Sequence, residues 1–406
     1  MDILCLMGLF PKEYESTILN NSKGSVQNAA NKFQWGIVKG LDEIENAHFK
    51  IVNSLYVGSY PKRYKKLRIP NFEFSHCENS KDINVGFINL TFFKYISKYF
   101  SIKKEIDKWV AVNNGERKVI LAYAMTSPFV EILDYVKKKY PNIICCLVVP
   151  DLPDFMNVSS VENKFYKNAK KLQIRHFKRK LKKVDCYVFL TKFMSDWFDW
   201  NVNYTVVEGI SMISQKDLKK TNQPNKKRKS ILYAGMIEEK YGVLDLVNAF
   251  MRINNNEWSL ELFGNGSSMN KIKEISKNDS RIHIRGTVPN KYILQEQKKV
   301  ELLINPRNDS EIFTKYSFPS KVIEYMGSGT PMIGYKLSGM PDEYKEYFYC
   351  IQNEKNGLYD TLKMTMGLSA QEREEMGAHA QKFIIEEKSA FMQCEKIIKM
   401  LEQQCM

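Results

Sequence analysis

The stretch TKYSFPSKVIEYMGSGTPMIG, Thr314 to Gly334, decides the fold. It reads as a loop, a short helix, a tight turn and a strand. Pro319 suits the first helical turn, where a missing N–H costs nothing, and Ser317 just before it is placed to cap. Pro319, Val322, Ile323 and Met326 recur at helical spacing and would face a core. Gly327 and Gly329 end the helix, and Thr330-Pro331 opens the returning strand. The opposite face carries Ser320, Lys321 and Glu324, and helical geometry makes the last two neighbours. Two readings of this face stay open from the stretch alone. It is a solvated surface with an exposed ion pair, or it is one wall of a ligand site. The second requires the helix-start N–H groups to hold an anion such as phosphate. It also requires the carboxylate, one turn further in, to accept two sugar hydroxyls, as the acidic residue of dinucleotide folds does with ribose.

The sequence just upstream alternates strand and helix. SILYA (230–234) is a strand ended by Gly235, and 243–254 has helical periodicity. LELF (260–263) is ended by Gly264-Asn265-Gly266, RIHIR (281–285) by Gly286, and VELLI (300–304) by Asn305-Pro306-Arg307. This is the pattern of a doubly wound parallel sheet, whose ligands sit at the carboxyl ends of the strands. Gly235, Gly264, Gly266, Arg307 and the 314–324 loop all fall there, which favours the ligand-site reading of Glu324.

The first half repeats the theme. MDILCLMGLF reads as a buried first strand. A polar loop with Gly24-Ser25 leads into helical periodicity from Val26 to Leu41, either an acceptor or phosphate loop or a plain turn. KVILAY (118–123) and NIICCLVV (142–149) are continuous apolar runs flanking a helical stretch at 127–139, a β-α-β unit. DCYVFLT (185–191) and YTVVEGI (204–210) add strands, whereas the aromatic-rich 48–105 gives no ordered strand pattern. Residues 164–183 hold ten Lys or Arg and no acid, with Ile174, Phe177, Leu181 and Val184 on one stripe. That helix is either a core helix with a basic solvent face or one resting on an anionic membrane surface. Among those cations His176 reads as a surface residue. The polar, basic 211–229 reads as a linker, and 367–403 as charged helix.

Composition sets limits. A chain of 406 residues suggests two domains, and 44% apolar residues suffice for real cores. A net charge of +15 points to an anionic partner. Asp2 and a short apolar run argue against a secretory signal, and no run approaches the ~20 apolar residues of a membrane span. Eight cysteines without C-x-x-C spacing read as reduced cytosolic residues, and five scattered histidines argue against a metal cluster.

In order along the chain, YAGMIEEKYGVLDLVNAF, LELFGNG, IHIRGTV, LLINPR and FPSKVIEYMGSGTPMIG resemble glycosyltransferase family 4, the retaining GT-B group of bacterial polysaccharide synthesis. KKVDCYVFLTKFM and VVEGI resemble its last N-domain strands, so the likeness covers roughly 115–340. It implies an α/β GT-B fold, two Rossmann-like doubly wound domains facing across a cleft. The expected divisions are an acceptor domain at 1–210, the linker at 211–229, a nucleotide-sugar domain at 230–385 and a final helix at 386–406 packing back towards the first domain. The family's paired glutamates lie eight positions apart. The second matches Glu324, which the resemblance assigns to the ribose hydroxyls, and the first falls on Tyr316. Its glycine-loop Arg and Lys fall on Met236 and Tyr241, leaving Lys240, Lys321 and Arg307 to neutralise the diphosphate. Its His-Asp pair reads Pro150-Asp151, so Asp151 is the candidate to orient or deprotonate the acceptor hydroxyl. Backbone and side chains of Tyr316, Ser317, Phe318, Pro319 and Ser320 complete the expected donor site, with Gly24 and Ser25 as acceptor loop.

The expected enzyme moves a sugar from a nucleotide diphosphate sugar, UDP-sugar favoured, to a lipid-linked or oligosaccharide hydroxyl. No Asp-x-Asp motif is present, so neither a metal nor a cofactor is expected. The place of action is the cytoplasm or the inner membrane face, reached through 164–183. The alternative is a non-catalytic nucleotide-sugar-binding partner in a polysaccharide assembly complex, motivated by Tyr316, Met236 and Tyr241. Nucleic-acid binding has only the charge in its favour, with no helix-turn-helix, zinc-finger or RNP-like signature.

Overall fold

The computed structural model describes residues 1–24, 26–45, 47–112, 115–155, 164–213 and 227–405, and the side chains of 164–167 and 405 are left aside. Two compact units result: Met1–Ile210 with Ala390–Met406, and Ser211–Ser389. Most of the expected linker, and Ser25, lie outside the described residues.

The first unit is built on an eight-stranded sheet. In spatial order its strands are Tyr204–Val206, Cys186–Phe189, Ile144–Val149, Lys118–Tyr123, Asp2–Met7, His48–Asn53, Asp82–Asn84 and Phe72–Phe74. All neighbours are parallel except the last pair. Ile3, Cys5, Leu121, Cys146 and Val188 are fully or almost fully buried, because helices cover both faces of a parallel sheet. The final helix, Ala390–Cys405, belongs to this unit: Cys394, Ile397 and Leu401 recur at helical spacing and vanish into its core. Cys394 Sγ donates to the carbonyl of Ile37 at 3.4 Å in the helix Asn28–Asp42.

The basic helix, Lys164–Leu181, buries Phe177 and Leu181 as the apolar stripe requires. Its cations are not the unpaired face that the local sequence suggests. Lys180 pairs with Glu131, Lys183 lies 3.3 Å from Asp134, Lys178 lies 2.8 Å from Asp199, and His176 lies 2.9 Å from Glu131. Helix Phe129–Lys139, distant in sequence, supplies most of the missing acids.

The second unit is a six-stranded, wholly parallel sheet: Ile282–Gly286, Ser259–Phe263, Arg228–Ala234, Val300–Asn305, Met332–Gly334 and Tyr349–Cys350. Every strand but Tyr349–Cys350 is closed by Gly, Asn or Pro, so its carboxyl end turns sharply into a loop. Ser369 caps the helix Ala370–Glu387 in a reciprocal capping box with Glu372. The helix of the deciding stretch runs Ser320–Gly327. Pro319 is its N-cap, in extended conformation, rather than its first helical residue. Ser317 does not cap it, because its hydroxyl is already engaged elsewhere.

Candidate active site

Three loops meet at the carboxyl edge of the second sheet, and two glycines make the meeting sterically possible. A β-carbon on Gly264, whose φ is +136°, would lie 1.8 Å from the Gly235 carbonyl oxygen. One on Gly266 would lie 2.2 Å from that of Ile237. Backbone bonds lace the loops: Gly235 N–H to Phe263 at 3.0 Å, Ile237 N–H to Asn265 at 3.0 Å and Gly264 N–H to Gly286 at 2.8 Å. Tyr325 pins the deciding helix to this edge, its hydroxyl accepting from the Ala234 N–H at 2.9 Å.

The helix start at Ser320 has no side-chain cap, which leaves N–H groups directed out of the helix end. Arg307 stands on the neighbouring loop. Its Nη2 donates to Ser317 Oγ at 3.0 Å, and Ser317 donates in turn to the Phe313 carbonyl at 3.0 Å. The guanidinium lies 4.5 Å from the Phe313 ring and 6.0 Å from that of Tyr241. Its Nε is buried without a partner, and no carboxylate lies within ion-pair distance among the described residues. Burial lowers its pKa, with Tyr241 and Asp309 acting in the opposite sense. An arginine so placed is a charge short of an anion.

One turn into the helix, Glu324 Oε1 accepts from Lys321 Nζ at 2.8 Å and from Gln297 Nε2 at 2.8 Å. The carboxylate is thus oriented from two sides and only 9% exposed, which is not the fully solvated ion pair of the surface reading. Gln297 had no sequence signal, since it lies in a turn before the strand Val300–Asn305. Lys240 lies on the glycine loop, half exposed, and a hydrogen bond to Glu238 raises its pKa. Phe318 is buried against Tyr344, Pro319 is buried, and Tyr316 lies beside Lys315. The structure therefore gathers Gly235, Gly264, Gly266, Arg307, Ser317 and Ser320 at the carboxyl edge, with Lys321 and Glu324 just beyond on the same helix.

Asp151 and Gly24 belong to the first unit. Asp151 follows the strand Ile144–Val149, water reaches it, and desolvation by its surroundings raises its carboxyl to about 6. Burial first, then the Asp151 charge, pushes up Tyr123, and Tyr56 is raised by burial, Tyr95 and Asp151. Gly24 has φ +94°, a turn conformation that suits glycine, with open space around it.

The expectation of no metal-ligand cluster meets one exception among the described residues. Ligand atoms of Asp42, His76 and Cys77 lie within 4.8 Å of one another. His76 Nδ1 is 2.6 Å from Asp82 and Nε2 is 3.3 Å from Asp42. Burial opposes its charge, yet those two bonds prevail and hold its pKa at about 9. A buried imidazolium between carboxylates accounts for the group.

Residues 228–364 match the family described as glycosyl transferases group 1. That domain makes the chain a glycosyltransferase. Among curated proteins no sequence match is found. Solved structures show its fold to be GT-B. Sucrose-phosphate synthase from Thermosynechococcus elongatus aligns with TM-score 0.64 at 13% identity, over 100% of this chain and 99% of its own. The lipopolysaccharide outer core galactosyltransferase WaaB aligns with TM-score 0.60 at 13% identity, over 100% of both chains. Anabaena HepE in complex with UDP aligns with TM-score 0.61 at 11% identity, over 99% and 100%.

Proposed function

We propose that this glycosyltransferase moves a sugar from a UDP-sugar to a hydroxyl of a lipid-linked or oligosaccharide acceptor, with retention of configuration and without a metal. One observation carries the reading: an uncapped helix start, an arginine with no carboxylate partner among the described residues and a doubly oriented Glu324 share one wall of the second unit. In this reading the helix-start N–H groups and Arg307 take the diphosphate, with Lys240 and Lys321 adding positive charge. Glu324 accepts the ribose hydroxyls. As the anomeric carbon gains oxocarbenium character, charge develops on the departing diphosphate, and fixed N–H dipoles and cations stabilise it there. Asp151 is the acceptor-side carboxylate that orients the incoming hydroxyl or takes its proton. The UDP held by HepE supports the choice of base, and the lipopolysaccharide substrate named for WaaB supports a surface-polysaccharide acceptor, handled in the cytoplasm at the inner membrane face. Members of glycosyltransferase family 4 would share this chemistry.

Tyr316, standing where the resemblance calls for a carboxylate, favours a second reading: a non-catalytic nucleotide-sugar-binding partner within a synthetic complex. Thermal unfolding with UDP, GDP, ADP and CMP side by side tests the site. A ligand at about 100 times its Kd adds ~2.7 kcal/mol of stability. A midpoint shift with UDP alone is expected, and no shift with any of the four would remove the proposal. Slow release of free sugar from the matching UDP-sugar separates the enzyme from the inert partner.

A further inference from the structure

We propose that Asp42, His76 and Cys77 form a zinc site that staples the amino edge of the first sheet. This inference is independent of the transferase reading, because the site lies at the opposite edge from Asp151, which follows the carboxyl end of its strand. Asp42 is the last residue of the helix Asn28–Asp42, and His76 and Cys77 follow the strand Phe72–Phe74. Their ligand atoms lie within 4.8 Å of one another. A tetrahedral ion with bonds of about 2.0–2.3 Å needs ligands about 3.3–3.8 Å apart. His76 Nε2 already stands 3.3 Å from Asp42, and Cys77, at the surface, has room to close the remainder.

The imidazole is oriented as a metal ligand. Its Nδ1 donates to Asp82 Oδ2 at 2.6 Å, and Asp82 is fixed in turn by the Ile51 N–H at 2.8 Å and by Ser80 Oγ at 3.1 Å. A carboxylate on one ring nitrogen turns the other towards a metal and raises its basicity. The ring is 3% exposed and stacks on Phe49 at 4.4 Å, which locks its direction. The His76 and Cys77 N–H groups both donate to Ser80 Oγ, at 2.8 and 3.3 Å, so one tight turn holds both ligand residues. Imidazole, thiolate and carboxylate together suit zinc, whereas magnesium and calcium take oxygen ligands. Binding releases the proton that Nε2 shares with Asp42 and the proton of the Cys77 thiol. Three protein ligands leave the fourth position to water. The ion ties the end of one helix to the antiparallel pair Phe72–Phe74 and Asp82–Asn84 at the margin of the sheet, and has no part in the sugar transfer.

The test is titration of the reduced, tag-free full chain with Zn²⁺ and with Co²⁺ against a competing chelator dye, with Mg²⁺ as control. One Zn²⁺ per chain is expected, and Co²⁺ should give the near-ultraviolet charge-transfer band of a thiolate ligand. Cys77→Ser should remove that band and weaken zinc binding by about tenfold or more, since even an outer partner of a ligand is worth ~10–100-fold. Asp42→Asn should weaken zinc binding likewise while keeping the band. Zn²⁺ should raise the thermal midpoint of the parent chain and not that of Cys77→Ser. Both replaced side chains lie at the surface, so should one variant fail to fold, the other decides. None of these readouts involves nucleotide, so they stand apart from the fate of the donor site. The proposal is overturned if the parent chain takes up neither Zn²⁺ nor Co²⁺, or if Mg²⁺ binds as well as Zn²⁺. It is equally overturned if both variants hold zinc as the parent does, or if the thiolate band survives in Cys77→Ser, which would place the ion at another cysteine.

Discussion

Arg307 reaches from the loop after the strand Val300–Asn305 to Ser317, Nη2 to Oγ at 3.0 Å, and so joins two loops with a guanidinium that has no carboxylate partner among the described residues. The bond uses one of five donors, and Nε is buried unused. A diphosphate would complete the set. Arg307→Gln should weaken UDP binding by about tenfold or more, since a hydrogen bond to a charged group is worth ~1.5–3 kcal/mol. Calorimetric titration with UDP, compared with uridine, checks it. An equal loss for uridine would mean that Arg307 does not read the phosphates.

Glu324 makes a complementary prediction. Its carboxylate is held by Lys321 and Gln297, so a ligand meets it already oriented. Glu324→Ala should cost about tenfold or more in affinity for UDP and for uridine alike. Retained affinity for uridine would withdraw the ribose role.

Much of this site was legible in the sequence because it depends on local order. Strands ended by glycine announce the carboxyl edge, and Lys321 and Glu324 meet because helical geometry brings residues three apart together. Gln297 was not legible, for its partner lies 27 residues away. The region from 48 to 105 resisted reading for another reason. After His48–Asn53 its strands have only two or three residues, too short to show alternation, and buried asparagines set their register. Asn53 Nδ2 bonds Asn84 at 3.0 Å, Asn84 Nδ2 bonds the Pro70 carbonyl at 3.1 Å, and Asn89 Nδ2 bonds the Gly58 carbonyl at 2.9 Å. The acids that pair with the basic helix were not legible for the same reason, since Glu131 lies 49 residues from Lys180.

The loop junction itself can be tested through Gly264. An alanine there would place a β-carbon 1.8 Å from the Gly235 oxygen, at a φ of +136°. Backbone must move, so Gly264→Ala should destabilise the second unit by about 3 kcal/mol or more. Gly367→Ala is the control: it ends the helix Gly357–Gly367 with nothing within 4 Å of its would-be β-carbon. It should be neutral or stabilising by up to ~1 kcal/mol. Urea midpoints of the two variants should differ accordingly, and equal midpoints would contradict the close approach.

Asp151 gives a pH signature. Its carboxyl is raised to about 6 in the folded chain, against about 4 for an unfolded aspartate. Between those values the folded state binds the proton and the unfolded state does not. The protonated group therefore supports stability below about pH 4, and that contribution is lost as pH rises through about 6. Asp151→Asn should flatten this part of the stability curve. Catalysis should move the other way, because a group that accepts the acceptor proton must be ionised. Turnover should rise through about pH 6 in the parent chain, and the Asn variant should lose both the inflection and most of the rate. A parent profile flat from about pH 5 to 7, or an unchanged inflection in Asp151→Asn, would assign the proton transfer to another group.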